Sequence, residues 1–223
     1  MSISLTYTAG EFVDEALKRV QIVGDGQTAS AYLWTLARSH INGLLKLLVT
    51  QGPSEWRRAT QTPAMVAAQA YVTCSPRPDR VHRVYYRNSS GFDLELQQWN
   101  MDDYERIPVK TSTGRPTIFA VDRQRTATTI YLWPVPDATI AAGSLRVSYE
   151  RVPEDVVNTS DILDVPQEWF DVFMDLVGGR TGQSLGLGER PPVAAALDRG
   201  TGNLNELLGY DRGYSTRFAI STE

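Results

Sequence analysis

The chain has one cysteine, Cys74, two histidines, His40 and His82, and three lysines, Lys18, Lys46 and Lys110. A single thiol excludes an internal disulfide and fits assembly in a reducing cytoplasm. One cysteine and two distant imidazoles give no spacing that a zinc or iron site needs, so neither a metal nor a cofactor is expected. Long apolar runs are missing too. The richest, residues 41–49, is interrupted by Asn42, Gly43 and Lys46 and is too short to cross a bilayer. The opening Met1-Ser-Ile-Ser-Leu-Thr-Tyr7 lacks the basic and apolar regions of a secretory leader, so no membrane partner is expected. The sequons at Asn88 and Asn158 then read as polar loops. With lysine so scarce, the cations are almost all arginine, which fits either a GC-rich genome or interfaces rich in forked contacts to carboxylates and carbonyls. A net charge of −4 excludes a chain that binds nucleic acid over its whole surface.

What is present divides into three parts. Thr8-Ala-Gly-Glu11 is a capping-box pattern, followed by Phe12, Val13, Ala16, Leu17 and Val20 at helical spacing up to Gly24-Asp-Gly26. A second helix is expected over 28–49, with Leu33, Leu36, Ala37, Ile41, Leu44, Leu45 and Leu48 as its apolar stripe and Gly52-Pro53 as its stop. The short glycine turn between them suggests an antiparallel hairpin. The period then changes. Residues 81–86, 92–97, 117–121, 128–133 and 144–149 are short β-type runs separated by turn residues, and Leu145, Val147 and Tyr149 alternate with Arg146 and Ser148. Asp164 and Gln167 then cap a helix carrying Trp169, Phe170, Phe173, Met174, Leu176 and Val177, which Gly178-Gly179 are expected to weaken or end. A last helix is expected over 192–208. The order predicts an α+β fold. Residues 1–75 form a helical hairpin, 76–160 a small antiparallel sheet or sandwich, 161–208 helices completing the bundle, and 209–223 an extended tail.

Catalytic motifs do not hold up. Gly182-Gln-Ser184-Leu-Gly186 matches a nucleophile elbow by letter, but that motif needs a preceding strand and a histidine later in the chain, and both histidines lie upstream. The region 178–188 also lacks the lysine of a phosphate-binding loop and reads as a flexible hinge. Asp14-Glu15, Asp102-Asp103 and Glu154-Asp155 are adjacent carboxylates with nothing nearby to raise one partner's pKa. His40 reads as a helix-boundary residue and His82 as a solvent-facing strand residue. Arg80, Arg83 and Arg87 around Tyr85-Tyr86 fit a strand with one solvent face better than a nucleic-acid site. No catalytic residue is assigned and no enzyme is expected.

The segment 114–137 carries the strongest signal. It contains Gly114-Arg-Pro-Thr-Ile-Phe-Ala120, a polar turn, and Ile130-Tyr-Leu-Trp-Pro-Val-Pro-Asp137, with Leu145-Arg-Val-Ser-Tyr149 beyond it. Pro116 forces an extended start, Pro134 and Pro136 forbid the second strand from continuing in a ladder, and Asp137 suits the turn. With Ile162-Leu-Asp-Val-Pro-Gln-Glu-Trp169, this arrangement resembles the head-to-tail adaptor (connector, or head-completion) proteins of tailed bacteriophages, over roughly residues 8–208. The resemblance implies a structural virion protein of the neck, a homo-oligomeric ring of about twelve copies under the portal protein. The ring extends the DNA channel without sequence-specific contact and gives a tail or nozzle protein its platform. It also implies portal docking through the C-terminal segment, for which Leu207, Leu208, Tyr210, Tyr214, Phe218 and Ile220 are the candidates. A tail-facing hairpin of Trp133, Pro134, Pro136 and Asp137 completes the expected contacts. The chain departs from the family at 178–188, where a longer alanine-rich helix is expected. Other readings are a tail-tube completion, nozzle or baseplate component, or a wall- or polysaccharide-degrading enzyme.

Overall fold

A computed structural model describes residues 7–50 and 55–215. The chain divides into two units, Met1–Trp56 with Pro153–Glu223, and Arg57–Val152. The first is helical and the second is built of strands.

In the helical unit, α1 (Ala9–Arg19) starts on the expected box: the Thr8 hydroxyl accepts from the Glu11 amide, and the Glu11 carboxylate accepts from the Thr8 amide. Those bonds hold the Glu11 carboxyl below its ordinary pKa. Phe12, Val13, Ala16 and Leu17 are buried. The helix stops before Gly24-Asp-Gly26, because Gln21 turns left-handed and Ile22 donates back to the Leu17 carbonyl, a close already complete at that point. α2 (Ala31–Thr50) buries Ala37, Ile41, Leu44, Leu45 and Leu48. Its Asn42 amide both donates to and accepts from the backbone of Val156.

α5 (Phe170–Ser184) follows a 3-10 turn at Gln167–Trp169, and α6 (Pro191–Ser215) follows it. Both differ from expectation. Gly178-Gly179 neither end nor weaken α5, and 178–188 is no hinge over its first half. The helix is buried nearly all round, and its glycines let neighbours touch its backbone. A side chain at Gly178 would collide with the Ala16 carbonyl of α1, and one at Gly179 would lie 2.6 Å from Leu197 of α6. α1 and α2 therefore pack chiefly on α5 rather than on each other as a hairpin. The buried Asp175 carboxylate takes both Nε and Nη2 of Arg199 at 3.1 Å, fastening α6 to the same helix. The expected extended tail from 209 is also corrected in part. α6 runs to Ser215, since Gly209 and Gly213 only weaken a helix and no proline intervenes.

The second unit holds β1 (Arg58–Gln61), β2 (Tyr71–Cys74), β3 (Pro78–Arg87), β4 (Asp93–Glu95), β5 (Gln97–Trp99), β6 (Ile118–Arg123), β7 (Thr128–Trp133) and β8 (Ser144–Arg151). Short helices α3 (Met101–Glu105) and α4 (Ala138–Ala141) interrupt them. One sheet has the order β1-β8-β3-β4, the other β2-β7-β6-β5, antiparallel except for the parallel β5–β6 pair. Their facing side chains, among them Val84, Leu145 and Val147 against Phe119, Ile130 and Leu132, share one core, which makes a sandwich. Strands begin at Arg58, well before residue 76, because β1 and β2 are too short to show as runs and β1 is also polar.

Arg57 is fully buried at 0% exposure. Its Nη2 meets Glu150 at 3.0 Å and its Nη1 meets Asp79 at 3.5 Å, while Arg123 holds the other Asp79 oxygen at 3.0 Å. His82 is half-buried rather than solvent-facing. A register shift between Val81 and Arg83 breaks the alternation and puts its Nε2 2.8 Å from Glu150.

Two stability experiments follow from this packing. Gly178→Ala is expected to destabilise by about 1–3 kcal/mol through overpacking, whereas Gly43→Ala on α2, where nothing lies within 4 Å of the new methyl, is expected to stabilise by about 0.5–1 kcal/mol. Urea midpoints of the two variants moving in the same direction would refute the close-packing account. Arg57→Ala leaves Glu150 buried without its guanidinium and is expected to cost about 3–5 kcal/mol, read from the same titration.

Candidate functional site

The segment 114–137 folds as the strand pair read from it. β6 and β7 pair with Ile118 opposite Trp133, and the Thr117 amide donates to the Trp133 carbonyl. Beyond Trp133 it is a tied corner rather than a projecting tip. Val135 donates to the Ser112 carbonyl and accepts from the Gly114 amide, each at 2.8 Å. Pro136 is buried and its carbonyl accepts from Ala68. The Asp137 carboxylate caps α4, accepting from the Ile140 amide at 2.9 Å. Of the four expected contact residues, Asp137 is exposed, Pro134 is half-buried, and Trp133 borders a concave surface. Its Nε1 donates to the Val109 carbonyl at 3.0 Å.

That surface is an open apolar groove of about 620 Å³, lined by Trp99, Ile107, Pro108, Val109 and Trp133, with Asp103 and Arg106 at its border. α3 forms its acidic side, because Asn100 caps that helix through the Asp103 amide and the buried Tyr104 ring anchors it against Tyr131. The sequence reading missed the groove, since Trp99 and Ile107–Val109 sit in segments without periodicity.

A second concavity, about 640 Å³, lies on the outer face of the β1-β8-β3-β4 sheet. Arg58, Arg83 and Arg146 line it with His82, Tyr85 and a single carboxylate, Asp93. Arg87 grips Asp93 through two 2.7 Å bonds, which hold its carboxyl below the usual carboxylate range. Of the arginine cluster read from sequence, Arg83 faces this concavity, whereas Tyr86 belongs to the core.

The C-terminal candidates separate. Leu207 and Leu208 are half-buried and pack on the helical core. Tyr210 and Tyr214 fall on the last turns of α6, and Phe218 and Ile220 lie outside the described residues.

The fold does bring Ser184 and a histidine together: the His40 Nε2 lies 3.0 Å from the Ser184 Oγ. The chain-order objection to this serine therefore fails, but the catalytic reading gains little. Ser184 ends a helix instead of topping a strand, and the amides of Leu185, Gly186 and Leu187 are occupied by carbonyls of Thr181, Gly182 and Gln183. No carboxylate among the described residues orients His40. The acidic pairs serve structure: Asp14 accepts from the Ala29 amide and Asp155 pairs with Lys46. No group of three or more His, Cys, Asp and Glu side chains among the described residues could hold a metal ion. Cys74 is buried, its thiol pushed up to about 11 by that burial.

Helices before and after the strands in the chain agree with the comparison to known families. The model of the SU10 adaptor protein family matches residues 7–203. The chain belongs to the SU10 adaptor protein family. It is thus a structural adaptor of the phage head-to-tail type. The match of this SU10 adaptor family member begins beside the capping box and ends within α6, so it takes in the sandwich and most of the helical unit. No curated protein matches the chain. No described helix is long and apolar enough to cross a membrane.

His40 provides a pH test of the helical unit. Burial first, and then the charge of Arg180, lowers its pKa. The unfolded chain therefore takes up this proton at higher pH than the folded one, and stability falls as pH drops through the ordinary histidine value of 6.5. Between about pH 7.5 and 5.5, the urea midpoint of the parent protein is expected to drop more than that of His40→Gln. Parallel slopes would contradict it.

Proposed function

We propose that this adaptor forms a homo-oligomeric ring of about twelve copies beneath the portal of a tailed phage, extending the DNA channel and giving the tail or nozzle protein its platform. The family match over residues 7–203 is the observation that carries this reading. The surfaces support it, since an apolar groove with two tryptophans and an arginine-lined sheet face suit protein contacts better than turnover. The net charge of −4 suits a conduit, because phosphates gain little by releasing counterions against an acidic wall. The adaptor assembles in the host cytoplasm and acts in the virion, between head and tail.

The C-terminal segment is proposed as the portal-docking element, with Phe218 and Ile220 as its apolar anchors. Leu207 and Leu208 contribute less than their sequence suggests, being partly taken up by the bundle. On the tail side, the buried Pro136 and the Asp137 cap hold a corner in shape, with Asp137 exposed on it and Trp133 half-buried at the edge of the groove.

Mixing the adaptor with purified portal is expected to yield a ring-on-ring complex by sedimentation, and its absence would count against the neck assignment. Removal of residues 216–223 is expected to weaken portal binding by roughly tenfold or more, with helicity and urea midpoint unchanged. Undiminished binding by the truncated protein would refute the docking role.

A further inference from the structure

The strand unit carries two features on different parts of its surface that fit one another. The first is the β3–β4 turn. Phe92 is 62% exposed at its end. The turn is held rigidly. The Asn88 carboxamide oxygen accepts from the amides of Ser90 and Phe92 at 3.0 and 2.9 Å, Gly91 takes a left-handed conformation, and Arg87 clasps Asp93 across the base. An exposed phenyl ring on a pre-ordered turn loses little entropy on docking. Phe92 immediately precedes Asp93, and so stands beside the concavity lined by Arg58, Arg83 and Arg146.

The second feature is the groove between Trp99 and Trp133, whose wall residue Val109 is 57% exposed. Beside it α3 presents Asp102, Asp103 and Glu105, with Arg106 after them. Knob and groove are therefore both apolar; arginines stand beside the knob, of which Arg83 also meets Glu95 at 3.7 Å, and carboxylates stand beside the groove. Phe92 leaves the groove of its own chain unfilled, because its ring is exposed.

We propose that the Trp99–Trp133 groove receives the Phe92 turn of a second copy of this chain, with α3 of the receiving copy facing the arginine-lined concavity of the donor. This rests on the homo-oligomeric reading above and names the surfaces through which copies meet. Because the two surfaces differ, one such contact per pair of copies is head-to-tail. Each copy then offers one free knob and one free groove, and repetition closes a ring once the rotation per copy allows it. A two-fold pair would instead seat both knobs in both grooves at once and stop at a dimer, with neither surface free to extend a ring.

The test uses two full-length proteins, Phe92→Cys and Val109→Cys, assembled together on purified portal and oxidised briefly. Cys74 is buried and stays out of the reaction. The expected result is a disulfide-linked dimer in the mixture and none with either variant alone. Cross-linking of Phe92→Cys by itself would show a symmetric contact and overturn the proposal. No cross-link in rings that do form on the portal would also overturn it while leaving the neck reading intact. A mixed cross-link without a portal complex would uphold these surfaces and reject the neck reading, and the absence of both would reject both. For the charge component, Arg83→Glu on the Phe92→Cys protein is expected to lower the yield roughly fivefold, with recovery when the Val109→Cys protein carries Asp102→Arg. A yield indifferent to Arg83→Glu would remove α3 and the concavity from the interface.

Discussion

Close approach of backbones along α5 is the constraint on which the helical unit depends. Helices whose side chains keep them apart settle at about 8–10 Å between axes. At Gly178 and Gly179 there is no side chain to do so, and Ala16 and Leu197 occupy the space. The helix thereby contacts α1, α2 and α6 along its length, which explains how Phe173, Leu176 and Val177 become inaccessible without a wide apolar stripe. Burying each such side chain contributes about 1.5–3 kcal/mol. Asp175 fits the same logic. A carboxylate this deep needs a partner that reaches it, and Arg199 arrives because α6 is held close.

Periodicity made the long helices and the better strands legible. The capping box at Thr8, the stripe from Ala37 to Leu48 and the alternation in β8 all fold as their spacing dictates. The α5 glycines misled because a glycine reads locally as a breaker, whereas its effect here depends on which residue stands opposite. β1 and β2 were hidden because four residues carry too little pattern. Their place comes from pairing with β8 and β7, which lie far along the chain. Arg57 escaped for a related reason, since a buried charge is recognisable only through its partners.

At the candidate surfaces, Trp133 was visible as part of a strand that prolines terminate. The groove it borders was not, because Trp99 and the 107–109 stretch reach it from another part of the chain. Pro136 shows how composition overstates exposure: it is a typical turn residue, yet it is committed to the interior. Membership of the SU10 adaptor protein family gives these surfaces a setting, because a structural adaptor acts through what its faces touch.

The pairing of β1 with β8 has a consequence for the order of events when the chain folds. Arg58 lies opposite Glu150, so the sandwich begins and ends at the same place. Everything between Arg57 and Val152 is then a detour whose mouth is closed by one strand pair and the buried Arg57–Glu150 contact. A bundle assembled before the sandwich has to close that whole detour as a slack loop, and one assembled afterwards does not. Loop-closure entropy favours the second order by about 3 kcal/mol. On this account the strand pair is a clasp: it delivers the two distant halves of the helical unit to each other at short effective range.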